Sequence, residues 1–123
     1  MYIYSFEKLE VWQVARKLTK QVYEVTGNYP AEERFGLVAQ MRRAAVSVGS
    51  NIAEGATRSS AKDQAHFYQL AFGSLVELIS QLILSTDLGF LKAESYESTR
   101  LLVEEVGNKI NALRKAALKR INK

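Results

Sequence analysis

From Phe35 to Gly55 the chain reads FGLVAQMRRAAVSVGSNIAEG, and its apolar residues return at helical spacing. Met41, Ala45, Val48 and Ile52 follow one another at steps of four, three and four, so on a helix they form one stripe. Gln40, Arg43, Ser47, Ser50 and Glu54 fall on the far side. A helix packed on one side only carries long charged side chains on the other. Here that other side holds Ser47, Gly49, Ser50 and Ala53, small enough to admit a second backbone. The pattern predicts a helix packed on both sides.

Three more stretches share the spacing. Val11, Ala15, Leu18, Val22 and Val25 make a bundle-type seam in a helix over 6–26, with Ser5 as its expected cap and Gly27 and Asn28 as its expected left-handed end. Pro30 suits the first turn of the second helix, over 31–56, where a missing N–H costs nothing. Ser60 followed by Asp63 resembles a capping box, opening a third helix over 61–88 that Gly89 ends. That helix has two stripes, Phe67, Ala71, Ser74, Leu78 and Tyr68, Phe72, Leu75, Ile79, Leu82, wider than its own bundle requires. Val103, Val106, Ile110, Leu113 and Ala117 give the seam of a fourth helix over 93–121. Connections this short impose antiparallel neighbours. The expected fold is all-α, one domain over 1–123, an up-down-up-down four-helix bundle.

Composition narrows the function classes. The 123 residues are 47% hydrophobic and 24% charged, ordinary for a globular chain. No cysteine is present, so disulfides and thiolate metal sites are excluded and a reducing cytoplasm is the expected location. Met1-Tyr-Ile-Tyr-Ser shows no signal-peptide pattern. Leu75 to Leu84, the longest apolar candidate, is interrupted by Glu77, Ser80 and Gln81, so no membrane partner is expected. The net charge of +4 is uneven. Six of the 17 basic residues, Lys109, Arg114, Lys115, Lys119, Arg120 and Lys123, follow Glu105 with no acid among them, which leaves 11 basic against 13 acidic residues elsewhere. A helix C-terminus favours cations through its dipole, and an anionic partner favours the same pattern.

Catalytic chemistry finds little support. A di-metal bundle needs two Glu-x-x-His motifs, and this chain has one histidine, His66, in Asp63-Gln-Ala-His66. Ser59-Ser-Ala-Lys62 matches S-x-x-K without its companion motifs. No phosphate-cradling G-x-x-x-x-G-K-[ST] occurs. Arg43, Asn51 and Glu54 read better as a structural network than as an active site. The expectation is a non-enzymatic protein without cofactor or metal.

Gly36-Leu37, Gln40, Arg43-Ala44-Ala45, Ser47, Asn51-Ile52-Ala53-Glu54-Gly55, Gly73-Ser74 and Glu77-Leu78 resemble the four-helix bundle proteins called 23S rRNA intervening-sequence proteins. That family includes the accessory variability determinant proteins of diversity-generating retroelements. The resemblance runs from Phe6 and Trp12 to the last helix, and S-x-x-x-N-I-A-E-G is its most specific part. It implies a five-fold ring and, for the retroelement relatives, nucleic acid bound beside a reverse transcriptase. The residues alone imply an oligomer, with Arg43, Ser47, Gly49, Ser50, Asn51 and Glu54 at its interface. The two functional expectations are a scaffold that binds RNA or DNA through the basic helix end, and a protein-interaction ring with no nucleic-acid role.

Overall fold

The computed structural model describes residues 1–121, so Lys123 of the basic cluster lies outside the described residues. Among them are four α-helices and no strand: α1 (Glu10–Thr26), α2 (Leu37–Thr57), α3 (Ala61–Asp87) and α4 (Ala93–Ile121). The helices pack in cyclic order, α1 on α2, α2 on α3, α3 on α4 and α4 on α1. Leu18, Val22, Met41, Val48, Ile52, Leu78, Leu82, Val106 and Ile110 are fully buried between them. Each such Leu, Ile, Val or Met contributes about 1.5–3 kcal/mol on leaving water. The seams chosen by spacing are therefore the core, with Val25 and Leu113 half-buried at its edges.

Two helix starts differ from expectation. Ser5–Lys8 is a 3-10 turn, Leu9 is extended, and α1 begins only at Glu10. Ser5 does not cap α1; Leu9 occupies that position without a side-chain cap. The break lets Phe6 lie edge-on to Trp12 at 4.9 Å. In an unbroken helix residues six apart point about 240° apart, which forbids that contact. The second break is at Gly36, with φ −105° and ψ −109°. It separates a 3-10 turn at Ala31–Glu33 from α2, and Pro30 precedes that turn rather than opening a long helix.

The helix ends follow local chemistry. Gly27 keeps right-handed geometry, φ −61°, against the left-handed end expected there. Gly89, at φ +79°, is left-handed. Its N–H bonds the Thr86 carbonyl at 3.0 Å, and the Phe90 N–H bonds the Ser85 carbonyl at 2.9 Å. That is a Schellman ending, and it turns Phe90 back onto Tyr29, 5.7 Å between ring centres. Ser60 Oγ accepts the Asp63 N–H at 3.1 Å and starts α3.

The double stripe of α3 serves mainly its own bundle. Its Ser74 side meets α2 and its Phe72–Leu75 side meets α4. By length and composition alone α3 passes as a membrane-crossing helix, where the sequence offered no uninterrupted apolar run, and a third of that apolar window is buried in the bundle. Leu70, Val76, Ile83, Leu84 and Leu88 still remain exposed.

Candidate interaction surfaces

The six α2 residues expected at a subunit interface divide into two groups. Ser47 and Asn51 close the seam with α3: Ser47 Oγ lies 2.9 Å from Ser74 Oγ, and Asn51 Nδ2 donates to the Ser47 carbonyl at 2.9 Å. Glu54 pairs with Arg58 at 2.7 Å, and the Arg58 guanidinium covers the Phe67 ring at 4.5 Å. Arg43, Gly49 and Ser50 line a groove between α1 and α2 that Ser47 also reaches, and Arg43 borders the α3 side as well. Among the described residues Asn51 bonds Ser47 and Glu54 bonds Arg58, and no hydrogen bond or ion pair joins either to Arg43 within the chain.

This groove comprises two adjoining hollows of about 510 Å³ and 690 Å³ that share Val46 and Ser50. Its floor is apolar or small, with Ala15, Val46, Gly49 and Ala53. Arg16, Lys20, Arg34, Arg42 and Arg43 line it, and no acidic residue does. Arg16 stands 5.7 Å from the Trp12 ring centre and Arg42 4.5 Å from that of Tyr23, so aromatic faces hold two of the cations in place. Arg42 Nε also donates to Thr26 Oγ1 at 3.0 Å. Sequence reasoning missed this basic groove. Its cations come from α1, α2 and, with Arg34, the segment between them, and only the packing of α1 against α2 brings them to one side.

A smaller polar cleft lies between α2 and α3, lined by Gln40, Arg43, Ser47, Ser74, Glu77 and Gln81. Gln81 is buried, and its Oε1 has no hydrogen-bond partner among the described residues.

The basic end of α4 is less uniform than its sequence. Lys109 bonds Glu10 at 2.7 Å and ties α4 to α1. Arg114 donates to Gln69 at 3.2 Å, and Arg120 donates to Gln64, whose own amide donates to the Arg58 carbonyl at 2.9 Å. Lys115 and Lys119, one turn apart, are exposed and have no side-chain bond among the described residues. The Gln64 bridge brings Arg58 to the same end of the bundle, a cation that the count of C-terminal residues omitted. Tyr68 is buried nearby; burial pushes its phenol pKa up, and Arg120 offsets part of that rise.

The Glu10–Lys109 pair has a definite pH signature. Its hydrogen bond to Lys109 lowers the Glu10 carboxyl pKa, and the same bond raises that of the Lys109 ammonium. The Glu10 contribution is present above its unfolded pKa and lost as pH falls through the lowered folded one. The Lys109 contribution is present below its unfolded pKa and lost as pH rises through the raised folded one. Lys109→Gln should lower the melting temperature slightly at neutral pH. The difference from the parent should vanish at a pH below the Glu10 titration and in 1 M salt, since exposed pairs are weak and screened. Thermal melts across pH check it, and a difference that persists in acid rejects it.

His66 is exposed and meets the Phe67 ring edge-on at 5.6 Å. Among the described residues no three His, Asp or Glu side chains are grouped to hold a metal ion.

A family model described as 23S rRNA-intervening sequence protein matches residues 7–112. No curated protein matches the chain.

Proposed function

The chain belongs to the 23S rRNA-intervening sequence protein family, and from that premise we propose that it is a non-enzymatic, homo-oligomeric scaffold that binds RNA or DNA through the basic end of α4. One observation carries the nucleic-acid part. Lys115 and Lys119 project from adjacent turns and form no ion pair among the described residues, on the segment that also carries Arg114 and Arg120. A ring repeats this patch in every subunit, so a weak patch gains by multivalency. We take the subunit number as five, which the resemblance to the bundle family implies. In this reading the helices run up-down-up-down. Support comes from Glu10, early in α1, meeting Lys109, late in α4, while Gln21, late in α1, meets Thr99, early in α4. The reading also takes the protein as cytoplasmic, without a membrane partner or cofactor. If the likeness to the accessory variability determinant proteins extends to role, a reverse transcriptase is a partner.

Lys115→Glu combined with Lys119→Glu should weaken binding to generic RNA or DNA. Each lost phosphate contact should reduce the log–log salt slope by about 0.7 for single strands or about 0.9 for duplex. Fluorescence anisotropy over a salt series measures both, and an unchanged affinity and slope removes this patch from the binding surface.

A second reading is a protein-interaction ring with no nucleic-acid role. It draws on Lys109, Arg114 and Arg120, each of which is engaged within the chain. Salt-independent behaviour toward RNA in an assembled protein selects it. A gene lying inside a ribosomal RNA gene, or beside one for a reverse transcriptase, separates the two family roles.

A further inference from the structure

We propose that the polar cleft between α2 and α3 binds the ammonium and carboxylate groups of a free α-amino acid, independently of what the end of α4 binds. The cleft has a volume of about 450 Å³, within the usual range for small-molecule sites. Gln40, Arg43 and Ser47 line it from α2 at steps of three and four, and Ser74, Glu77 and Gln81 line it from α3 at steps of three and four. Each set of three therefore forms one row on its helix. Ser47 and Ser74 meet at 2.9 Å, and Met41 meets Ser85 at 3.4 Å. Between those two contacts Arg43 of α2 and Glu77 of α3 border the same space.

Two observations select the ligand. Arg43 and Glu77 are both exposed, and neither makes an ion pair among the described residues. Opposite charges thus share one cleft without meeting. A molecule that carries both charges joins them, whereas an anion alone is repelled by Glu77 and a cation alone by Arg43. A nucleic-acid phosphate is an anion alone, so the cleft does not extend a phosphate-binding surface. The second observation is Gln81, which is 7% exposed and whose Oε1 has no partner. A buried amide oxygen calls for a donor. The last torsion of a glutamine side chain is soft, so this oxygen turns readily to a donor in the cleft it lines. An ammonium group has three N–H donors and suits Glu77 and Gln81, which lie one turn apart on α3. The carboxylate then lies against Arg43, with the Gln40 amide in the same row as a further donor. The α2 row supplies donors and the α3 row acceptors.

Isothermal titration calorimetry on the full chain tests this with glycine, L-serine and L-glutamine as probes. Each should bind at one site per chain. Acetate and methylammonium carry one charge each and should bind about tenfold more weakly, since each forgoes one set of charge-assisted hydrogen bonds. Arg43→Gln and Glu77→Gln should each weaken amino-acid binding by about tenfold and keep the parent's helicity, because both side chains are exposed. Gln81→Leu should weaken binding while the melting temperature of the unliganded protein holds or rises, as an orphaned acceptor leaves the core. Amide chemical shifts of the unaltered protein give a reading that needs no substitution: added glycine should perturb residues over 40–47 and 74–81. Failure of all three amino acids to bind at millimolar concentration overturns the proposal. So does acetate bound as tightly as glycine, which makes the cleft a plain anion site. Unchanged binding in any of the three variants, or shifts gathered elsewhere, also overturns it. Binding seen only after subunits are separated assigns the cleft to a contact between copies and likewise overturns it.

Discussion

Gly55→Leu should destabilise the bundle by about 3 kcal/mol, at the upper end of what overpacking usually costs. A Cβ on Gly55 would stand 2.7 Å from Cε1 and 3.0 Å from Cδ1 of Tyr68, and 3.2 Å from Cβ of Phe67. Tyr68 is 5% exposed, so its ring has nowhere to rotate. The Phe67 Cβ is fixed to the α3 backbone and yields only if α3 itself moves. Gly55→Ala meets the same atoms, but it regains about 1 kcal/mol of helix propensity, so its net loss is smaller. Gly73 is the control. A Cβ there meets nothing within 4 Å, and Gly73→Ala should stabilise α3 by up to about 1 kcal/mol. Urea unfolding of the three variants should rank them Gly73→Ala, parent, Gly55→Ala, Gly55→Leu. A Gly55→Leu protein as stable as the parent would mean that α2 and α3 are not packed as described.

That contrast shows where sequence reasoning reaches and where it stops. Gly49 and Gly55 sit about one and two-thirds turns apart in α2, and propensity charges both the same amount. The sequence directed attention to Gly49, because Ser47, Ser50 and Ala53 surround it. The tight place within the chain is Gly55, and only the docking angle of α3 reveals that. The seams were readable because burial enforces helical spacing directly on residues such as Met41, Val48 and Ile52. The helix starts at Glu10 and Leu37 were not, because they depend on Phe6 reaching Trp12 and on the backbone break at Gly36. The basic tail was visible as a count of charges. Which of them are engaged depends on partners in distant helices: Glu10 for Lys109, Gln69 for Arg114 and Gln64 for Arg120. The α1/α2 groove was hidden for the same reason, since Arg16 and Arg43 share no sequence pattern.

Gly49→Leu should separate folding from assembly, stabilising the single chain while destroying the oligomer. Within the chain, a Cβ on Gly49 meets only Trp12 Nε1, at 3.7 Å, an ordinary contact. Nothing there resists a Cβ, and replacing a mid-helix glycine by leucine recovers up to about 1 kcal/mol of helix propensity. An isolated subunit therefore has no use for a glycine at this position. Its neighbours in the groove, Ser50 and Ala53, are small as well, so the floor is kept low along α2. If a second copy lies on that floor, leucine raises it by a whole side chain at the point of closest approach. Overpacking costs about 1–3 kcal/mol at one site, and a closed ring repeats the cost at every interface. The expected result is a chain of 13.8 kDa with the parent's helicity and a melting temperature at or above that of a dissociated parent. Gly49→Ala, which adds only a methyl group, should keep some assembly. If Gly49→Leu assembles as the parent does, the α1/α2 groove is not where subunits meet. If it unfolds as a monomer, the groove is closed within the chain more tightly than 3.7 Å allows.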